Sequence, residues 1–377
     1  MDMEQWLIKK IVITWWPCAG KTTWMASVVQ KVSQMWWNVL VIPESARELI
    51  HAWVRPWQSV SGIDFQDLVV KKQLAQEDLY ERAARYAMAK SESWRQNQLI
   101  LLDRGLMDGI AYVDPEDFDQ ILYKNNLDRG KILQDIYDGI VFLDSAAEWA
   151  EEFYKIDEER TESITDAQDN NRRLKTAYIG TEKYRQQNNK QLFEHKITRT
   201  THDVISMIGL PVPLEIEDKF AVKSIDKDIL KKMKSPISQI EQFYLNSLAG
   251  TGIHRARKLM QWLFTGYFHT IKWPQKYLEK EKKLTSQEYY QYALMQALNT
   301  DKIIKNREYF LYDDQYFSFD TFTYPRNRLQ PWDIWLMEIE KTHPDQEVHI
   351  PSFMEVENVT DDFRYSNASI AWYKKTA

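Results

Sequence analysis

The sequence predicts two domains of different class: a parallel α/β sheet with flanking helices over residues 1–210, then an antiparallel β-barrel of α+β type over 211–377. Three observations predict this. Apolar runs at 11–14, 139–144 and 192–197, and strand-like segments within 39–50 and 98–109, alternate with longer helix-like stretches such as 65–96, the pattern of five buried parallel strands. Beyond residue 211 the pattern changes to period two, with charges on one face and apolar side chains on the other. Pro211 and Pro213 stop the preceding helix-like run THDVISMI and mark the join. A chain of 377 residues has the length for two separate cores.

The first strand, Ile11 to Thr14, runs into Trp15-Trp16-Pro17-Cys18-Ala19-Gly20-Lys21-Thr22-Thr23 and then into a helix-like stretch to about Met35. This resembles a Walker A phosphate loop, GxxxxGK[ST], except that position 15 is tryptophan instead of glycine. The motif implies that the backbone of Pro17, Cys18, Ala19 and Gly20 wraps the phosphates. Lys21 then reaches the outer phosphates, and Thr22, beside Thr23, binds Mg²⁺. An indole at position 15 obstructs the close approach of main chain to phosphate. VLVIPESARELI supplies a second strand followed by Glu44 and Arg47. QLILLDRGLMDG resembles a Walker B strand ending in Asp103 and Arg104, with Asp103 placed to hold Mg²⁺ through water. The charged run 158–174, with Arg160, Arg172 and Arg173, reads either as a lid closing on phosphate or as a solvated helical hairpin. Together these pieces resemble a NadR-type, kinase-like AAA ATPase domain over about residues 8–210.

Glycine is scarce. The chain has 11 glycines and 15 tryptophans, whereas ordinary usage predicts roughly 26 glycines. The shortfall matches the tryptophan count, and several tryptophans (15, 16, 36 or 37, 57, 149 and 332) fall where turns or the phosphate loop favour glycine. One reading is a reassigned UGA codon, decoded as glycine in the cell of origin and written here as tryptophan. The other is a tryptophan-rich protein with a degenerate loop.

In the second half, Glu215, Glu217 and Lys219 alternate with Leu214, Ile216, Phe220 and Val222. Four later segments repeat the arrangement: Arg255 and Arg257 in HRARK, Glu279 and Glu281 in YLEKEKK, Lys305 and Arg307 in IKNREYF, and Glu338 and Glu340 in WLMEIE. Lys272 and Asp320 lie in two further strand-like runs. Burying such charges dry costs several kcal/mol each, so a barrel carrying them inward must be wet and occupied. A divalent cation on the carboxylates and a polyphosphate on the cations satisfy both sets.

The ExExK opening, the paired basic residues, the late ExE and the closing run EVENVTDDFRYSNASIA resemble the CYTH group of triphosphate tunnel metalloenzymes over about residues 211–372. That resemblance implies Glu215, Glu217, Glu338 and Glu340 as Mg²⁺ or Mn²⁺ ligands, with Asp320, Glu279 and Glu281 in support. Among them Glu217, Glu338 and Glu340 are the candidate catalytic residues. It implies Lys219, Arg255, Arg257, Lys272, Lys305 and Arg307 as phosphate ligands. The fusion of both domains is similar to the animal translocation-defect proteins, which bind GTP and phosphoinositides.

The expected function is an ATP- or GTP-binding domain joined to a metal-dependent domain that hydrolyses or binds an inorganic or organic triphosphate. Two alternatives stay open: a nucleotide-sensing regulator gripping an anionic ligand such as a phosphoinositide without turnover, and a small-molecule kinase with an auxiliary CYTH domain. A net charge of −6 argues against general nucleic-acid binding. A single cysteine, Cys18, excludes an internal disulfide and fits a reducing compartment. No apolar stretch approaches about 18 residues, and the strand-loop-helix start outweighs a signal-peptide reading, so the expectation is cytoplasmic. His269 is expected as a wall residue and not a metal ligand. Tyr289, Tyr290 and Tyr292 are expected to pack a helix outside the barrel.

Overall fold

The computed structural model describes residues 7–15, 21–90, 97–144, 164–189, 193–210, 216–246, 252–273, 278–298, 300–325, 335–341 and 346–372. The chain forms two compact units. The first is Met1–Tyr178 with Lys183–Ile208, and the second is Ile179–Glu182 with Gly209–Ala377.

In the first unit β1 (Ile8–Trp15), β2 (Asn38–Ile42), β3 (Gln98–Asp103), β4 (Gly139–Leu143) and β5 (Tyr184–Gln187) form one sheet in the order β2-β3-β1-β4-β5. Every pairing is parallel. β3 and β4 are buried at every residue, as expected for strands covered on both faces. Helices Lys21–Gln34, Gly62–Lys90, Pro115–Lys124, Ile164–Ala177 and Phe193–Met207 accompany the sheet.

The fifth strand is a correction. LFEHKI was expected to supply it, yet helix Phe193–Met207 runs through that segment. Buried Thr201, Val204, Ile205 and Ile208 follow Ile197 at helical spacing, so the apolar positions serve one helix face. The actual strand, Tyr-Arg-Gln-Gln, is polar. It is held by β4 and by Gln187, which donates to Asp203 at 2.6 Å.

In the second unit β6 (Ile216–Ile225), β7 (Ile237–Tyr244), β8 (Ile253–Gln261), β9 (Phe264–Trp273), β10 (Leu278–Lys283), β11 (Ile303–Tyr312), β12 (Gln315–Tyr324), β13 (Trp335–Lys341) and β14 (Met354–Asn358) form one sheet. Its order is β10-β9-β8-β7-β11-β12-β13-β6-β14. Every pairing is antiparallel. Among the described residues no backbone pairing joins β10 to β14, so the expected cylinder has two edges in its hydrogen bonding.

Period two sorts the side chains of this sheet. Phe220, Val222, Phe310, Phe317, Phe319, Met337 and Ile339 form one buried apolar cluster with Leu230 and Met354. Helix Ser286–Ala293 starts with a capping box in which Thr285 and Glu288 exchange bonds. Of the three tyrosines expected to pack, Tyr289 is buried on Phe243, Leu245 and Ala256 and Tyr292 lies partly buried against them, while Tyr290 is exposed.

Among the described residues nine non-glycine positions have left-handed backbone, and four of them are tryptophans: Trp36, Trp53, Trp57 and Trp262. A bulky residue is an outlier there, at a cost of roughly 1–2 kcal/mol each. All four indoles are at least half exposed, so packing offsets little of that cost. These are backbone positions that suit glycine.

Candidate functional site

The register brings the charged strand positions onto one face. Glu338 lies opposite Lys219, and Glu340 opposite Glu217. Arg307 lies opposite Asp320, Thr270 between Arg255 and Glu281, and Lys272 opposite Glu279. Side chains then meet across intervening strands, which requires a curved wall. Arg307 on β11 donates to Glu338 on β13 at 2.8 Å, and Arg257 on β8 donates to Glu281 on β10 at 3.0 Å.

The centre is an ion-pair network. Arg307 Nε donates to Asp320 at 2.6 Å and Nη2 donates to it at 2.5 Å. Lys305 Nζ donates to Asp320 at 2.5 Å and to Asn367 at 3.2 Å. Lys219 lies 3.0 Å from Glu338 and 3.5 Å from Glu217. Lys305 also has aromatic support: its Nζ stands 5.3 Å from the Phe322 ring centre, and Phe322 shares a cluster with Ile303, Leu336 and Ile370. Helix Asn367–Ala371 of the closing run supplies Asn367 and Ile370.

Burial and charge separate the two neighbouring glutamates. Burial alone raises Glu338, but Arg307, Lys219 and Lys305 outweigh it and hold its carboxyl at about 2. Glu217 is 44% exposed. Burial of the remainder and the Glu338 carboxylate raise it above the ordinary carboxylate value. Two carboxylates that repel while sharing one ammonium form an oxygen donor set suited to a hard divalent cation.

Among the described residues no three His, Cys, Asp or Glu side chains gather as a metal cluster. Glu215 lies outside the described residues, as do the side chain of Glu279 and the loop residues Pro17, Cys18, Ala19 and Gly20. Asp320, expected to support a metal, is 1% exposed with its oxygens taken by Lys305 and Arg307. Its place in the network is to position those cations. Lys272 is exposed near the end of β9, while Arg255 lies within 3.5 Å of Thr270. His269 faces away from the charges, 3.2 Å from His254 and against Tyr292.

Sequence reasoning missed Glu182. Its carboxylate accepts from Arg257 at 2.9 Å and from Arg307 at 2.8 Å. Burial would raise this carboxyl, yet Arg257, Arg307 and Arg255 together hold it well below the usual range. No alternation signalled it, because it lies in a turn outside every strand of the second sheet.

In the first unit, Lys21, Thr22 and Thr23 begin the helix after β1. Trp15 ends β1, buried against Trp24, with the Arg104 guanidinium 5.6 Å from its ring centre. Asp103 closes the buried strand β3. Beside these residues Asp108 accepts from Thr14 and Tyr178, each at 2.7 Å. Arg104 bridges Glu44 at 3.2 Å and Asp108 at 3.6 Å. Burial raises Asp108, partly offset by Arg104. Thr14, Asp108 and Tyr178 were not legible as partners, since they converge from three separate segments. A buried polar cluster at the carboxyl ends of parallel strands is where α/β folds bind ligands. Arg160 of the charged run lies outside the described residues. Arg172 pairs with Asp169 and donates to the Gln168 carbonyl, and Arg173 donates to the Ala111 carbonyl.

Residues 10–186 match the AAA domain family, and the first unit is an AAA-type P-loop domain. No curated protein matches the chain. Among solved structures, the inorganic triphosphatase NE1496 is similar at 25% identity over 42% of this chain and 99% of its own, with a TM-score of 0.32. PH1819 of Pyrococcus horikoshii OT3 is similar at 17% identity over 33% of this chain and 78% of its own, with a TM-score of 0.25. Thymidylate kinase from Ehrlichia chaffeensis is similar at 15% identity over 54% of this chain and 99% of its own, with a TM-score of 0.33. At these TM-scores the likenesses fix no residue of either site. No described helix is long and apolar enough to cross a membrane.

Proposed function

We propose that the second unit binds the triphosphate group of an inorganic or organic molecule and hydrolyses its phosphoanhydride, while the first unit binds ATP or GTP. The observation that carries this reading is the single face shared by Lys219, Arg255, Arg257, Lys305 and Arg307 with Glu217 and Glu338. Mere anion binding gains nothing from added carboxylates. Metal-assisted phosphoryl transfer needs both signs.

Arg257 and Arg307 offer planar forks to paired phosphoryl oxygens, and Lys219 and Lys305 add point charges. Asp320 and Glu281 hold those forks in place, so charge developing on the transferring group meets preorganised partners. Glu217 and Glu338, with Glu340 and Glu215, would hold Mg²⁺ or Mn²⁺. Such an ion supplies charge neutralisation and lowers the pKa of a bound water. In the first unit Lys21, Thr22 and Asp103 are the proposed nucleotide and Mg²⁺ contacts.

Binding without turnover is the second reading, favoured by one observation: Arg257 and Arg307 already carry a carboxylate partner in Glu182. Phosphate release from a panel of triphosphates with Mg²⁺ or Mn²⁺ separates the readings. Turnover lost in Glu217→Gln and kept in Lys21→Ala assigns hydrolysis to the second unit. The reverse pattern assigns it to the phosphate loop, and release from no compound supports the binding protein.

A further inference from the structure

Four residues, Ile179–Glu182, pack with the second unit although residues of the first precede and follow them in the chain. The segment is tied down at each step. Tyr316 Oη accepts from the amides of Gly180 and Thr181 at 3.0 and 3.2 Å and donates to the Thr181 carbonyl at 2.9 Å. Gln261 donates to the Gly180 carbonyl at 2.8 Å. Gly180 has a φ of +122°, and a Cβ there would come within 2.9 Å of Pro236, so the close approach needs glycine. These contacts deliver Glu182 to the charged face.

There one carboxylate spans two guanidinium groups, each oxygen accepting from a different arginine. Two oxygens of one phosphoryl group make the same pair of contacts. The other acidic partners of these arginines, Glu281, Asp320 and Glu338, all stand on sheet strands. Glu182 alone stands on a turn, and it is 32% exposed, against 25% for Glu281, 11% for Glu338 and 1% for Asp320. It is therefore the partner that an incoming anion can reach and replace.

We propose that Glu182 is a resident anion of this site, holding Arg257 and Arg307 in place of a phosphoryl group until a polyphosphate displaces it. The inference rests on the reading of the charged face as a polyphosphate site. Displacement forfeits two charge-assisted bonds, so a guest must make more contacts than the two it replaces. Orthophosphate makes at best an even exchange, whereas a tri- or longer polyphosphate also engages Lys219, Arg255 and Lys305. Glu182 thus sets a threshold that favours long phosphate chains over single phosphates.

The test is calorimetric titration of the full chain with inorganic tripolyphosphate and, separately, orthophosphate. Glu182→Gln keeps the shape and removes the charge. It is expected to bind tripolyphosphate about tenfold tighter or better, because the binding-competent fraction rises, and to bring orthophosphate into the measurable range. Glu182→Asp should stay near wild type, and the gain should vanish in Glu182→Gln combined with Arg307→Ala. Glu182→Ala carries the same expectation as Glu182→Gln, and each variant is checked for a single cooperative melting transition above the titration temperature. Wild-type binding with an unchanged or weaker Glu182→Gln overturns the inference and leaves the polyphosphate reading standing. No binding by any variant overturns both.

Discussion

The two units hold their charges differently. In the second, Lys219, Arg257, Glu281, Lys305, Arg307, Asp320 and Glu338 stand on strands on one sheet face and neutralise one another through fixed register. In the first, the polar cluster of Thr14, Glu44, Arg104 and Asp108 sits at strand ends and in the segments that follow them. A strand-borne site inherits its geometry from backbone pairing. A loop-borne site depends on local conformations that glycine usually supplies, and this chain has few glycines.

The sharpest way to break this contrast is to remove a strand-borne charge. Asp320→Ala leaves Lys305 and Arg307 without their shared carboxylate and should cost about 3–5 kcal/mol, read as a fall in thermal midpoint. Arg172→Ala, whose pair with Asp169 is exposed at both ends, should change stability by less than about 1 kcal/mol. Equal effects would show that the network is not preorganised by the sheet.

Next in size is the phosphate loop. Trp15→Gly restores the motif glycine and should tighten ATP·Mg²⁺ or GTP·Mg²⁺ binding to the first unit about tenfold, or about 1.4 kcal/mol. Lys21→Ala in that background should abolish the gain. Unchanged calorimetry would mean that position 15 is no obstacle.

Backbone strain gives a smaller effect. Trp36→Gly and Trp57→Gly should each raise stability by about 1 kcal/mol in denaturant unfolding, since left-handed backbone suits glycine; a loss would show that the indoles pack usefully. Mass spectrometry of the protein from its native cell should find glycine at these sites and at 15 if UGA is recoded. Tryptophan at those positions would end that reading.

The smallest effect is a pH dependence. Glu217 has a raised carboxyl, so the folded state holds its proton to higher pH than the unfolded chain does. Its contribution to stability is therefore lost as pH rises from 4.5 through the raised folded value. Glu338 has the opposite sign: held at about 2, it stabilises above 4.5 and loses that contribution as pH falls toward 2. Mn²⁺ affinity should accordingly weaken as pH drops through the Glu217 transition, and Glu217→Gln should flatten the profile. A wild-type profile that keeps its slope in that variant would place the proton elsewhere.

Much of the charged face was legible because period two is rigid: Arg255 and Arg257, or Glu338 and Glu340, share a face wherever the strand lies. Asp320 was legible as a residue but not as a partner, since the register that sets it against Arg307 depends on hairpin geometry. Glu182 left no pattern at all, being brought in by tertiary contacts of Gly180 and Thr181. In the first unit β3 and β4 were readable from unbroken apolar runs. The polar β5 was not, because a short edge strand needs little apolar surface, and helix Phe193–Met207 imitated it over LFEHKI.

Crystals grown with tripolyphosphate and Mn²⁺, measured for anomalous scattering, test the central claim most directly. A manganese peak beside Glu217 and Glu338, with phosphate oxygens on Arg257 and Arg307 where Glu182 had been, is the expected result. Manganese away from those carboxylates, with the arginines still held by Glu182 and the anion on exposed lysines, would contradict it.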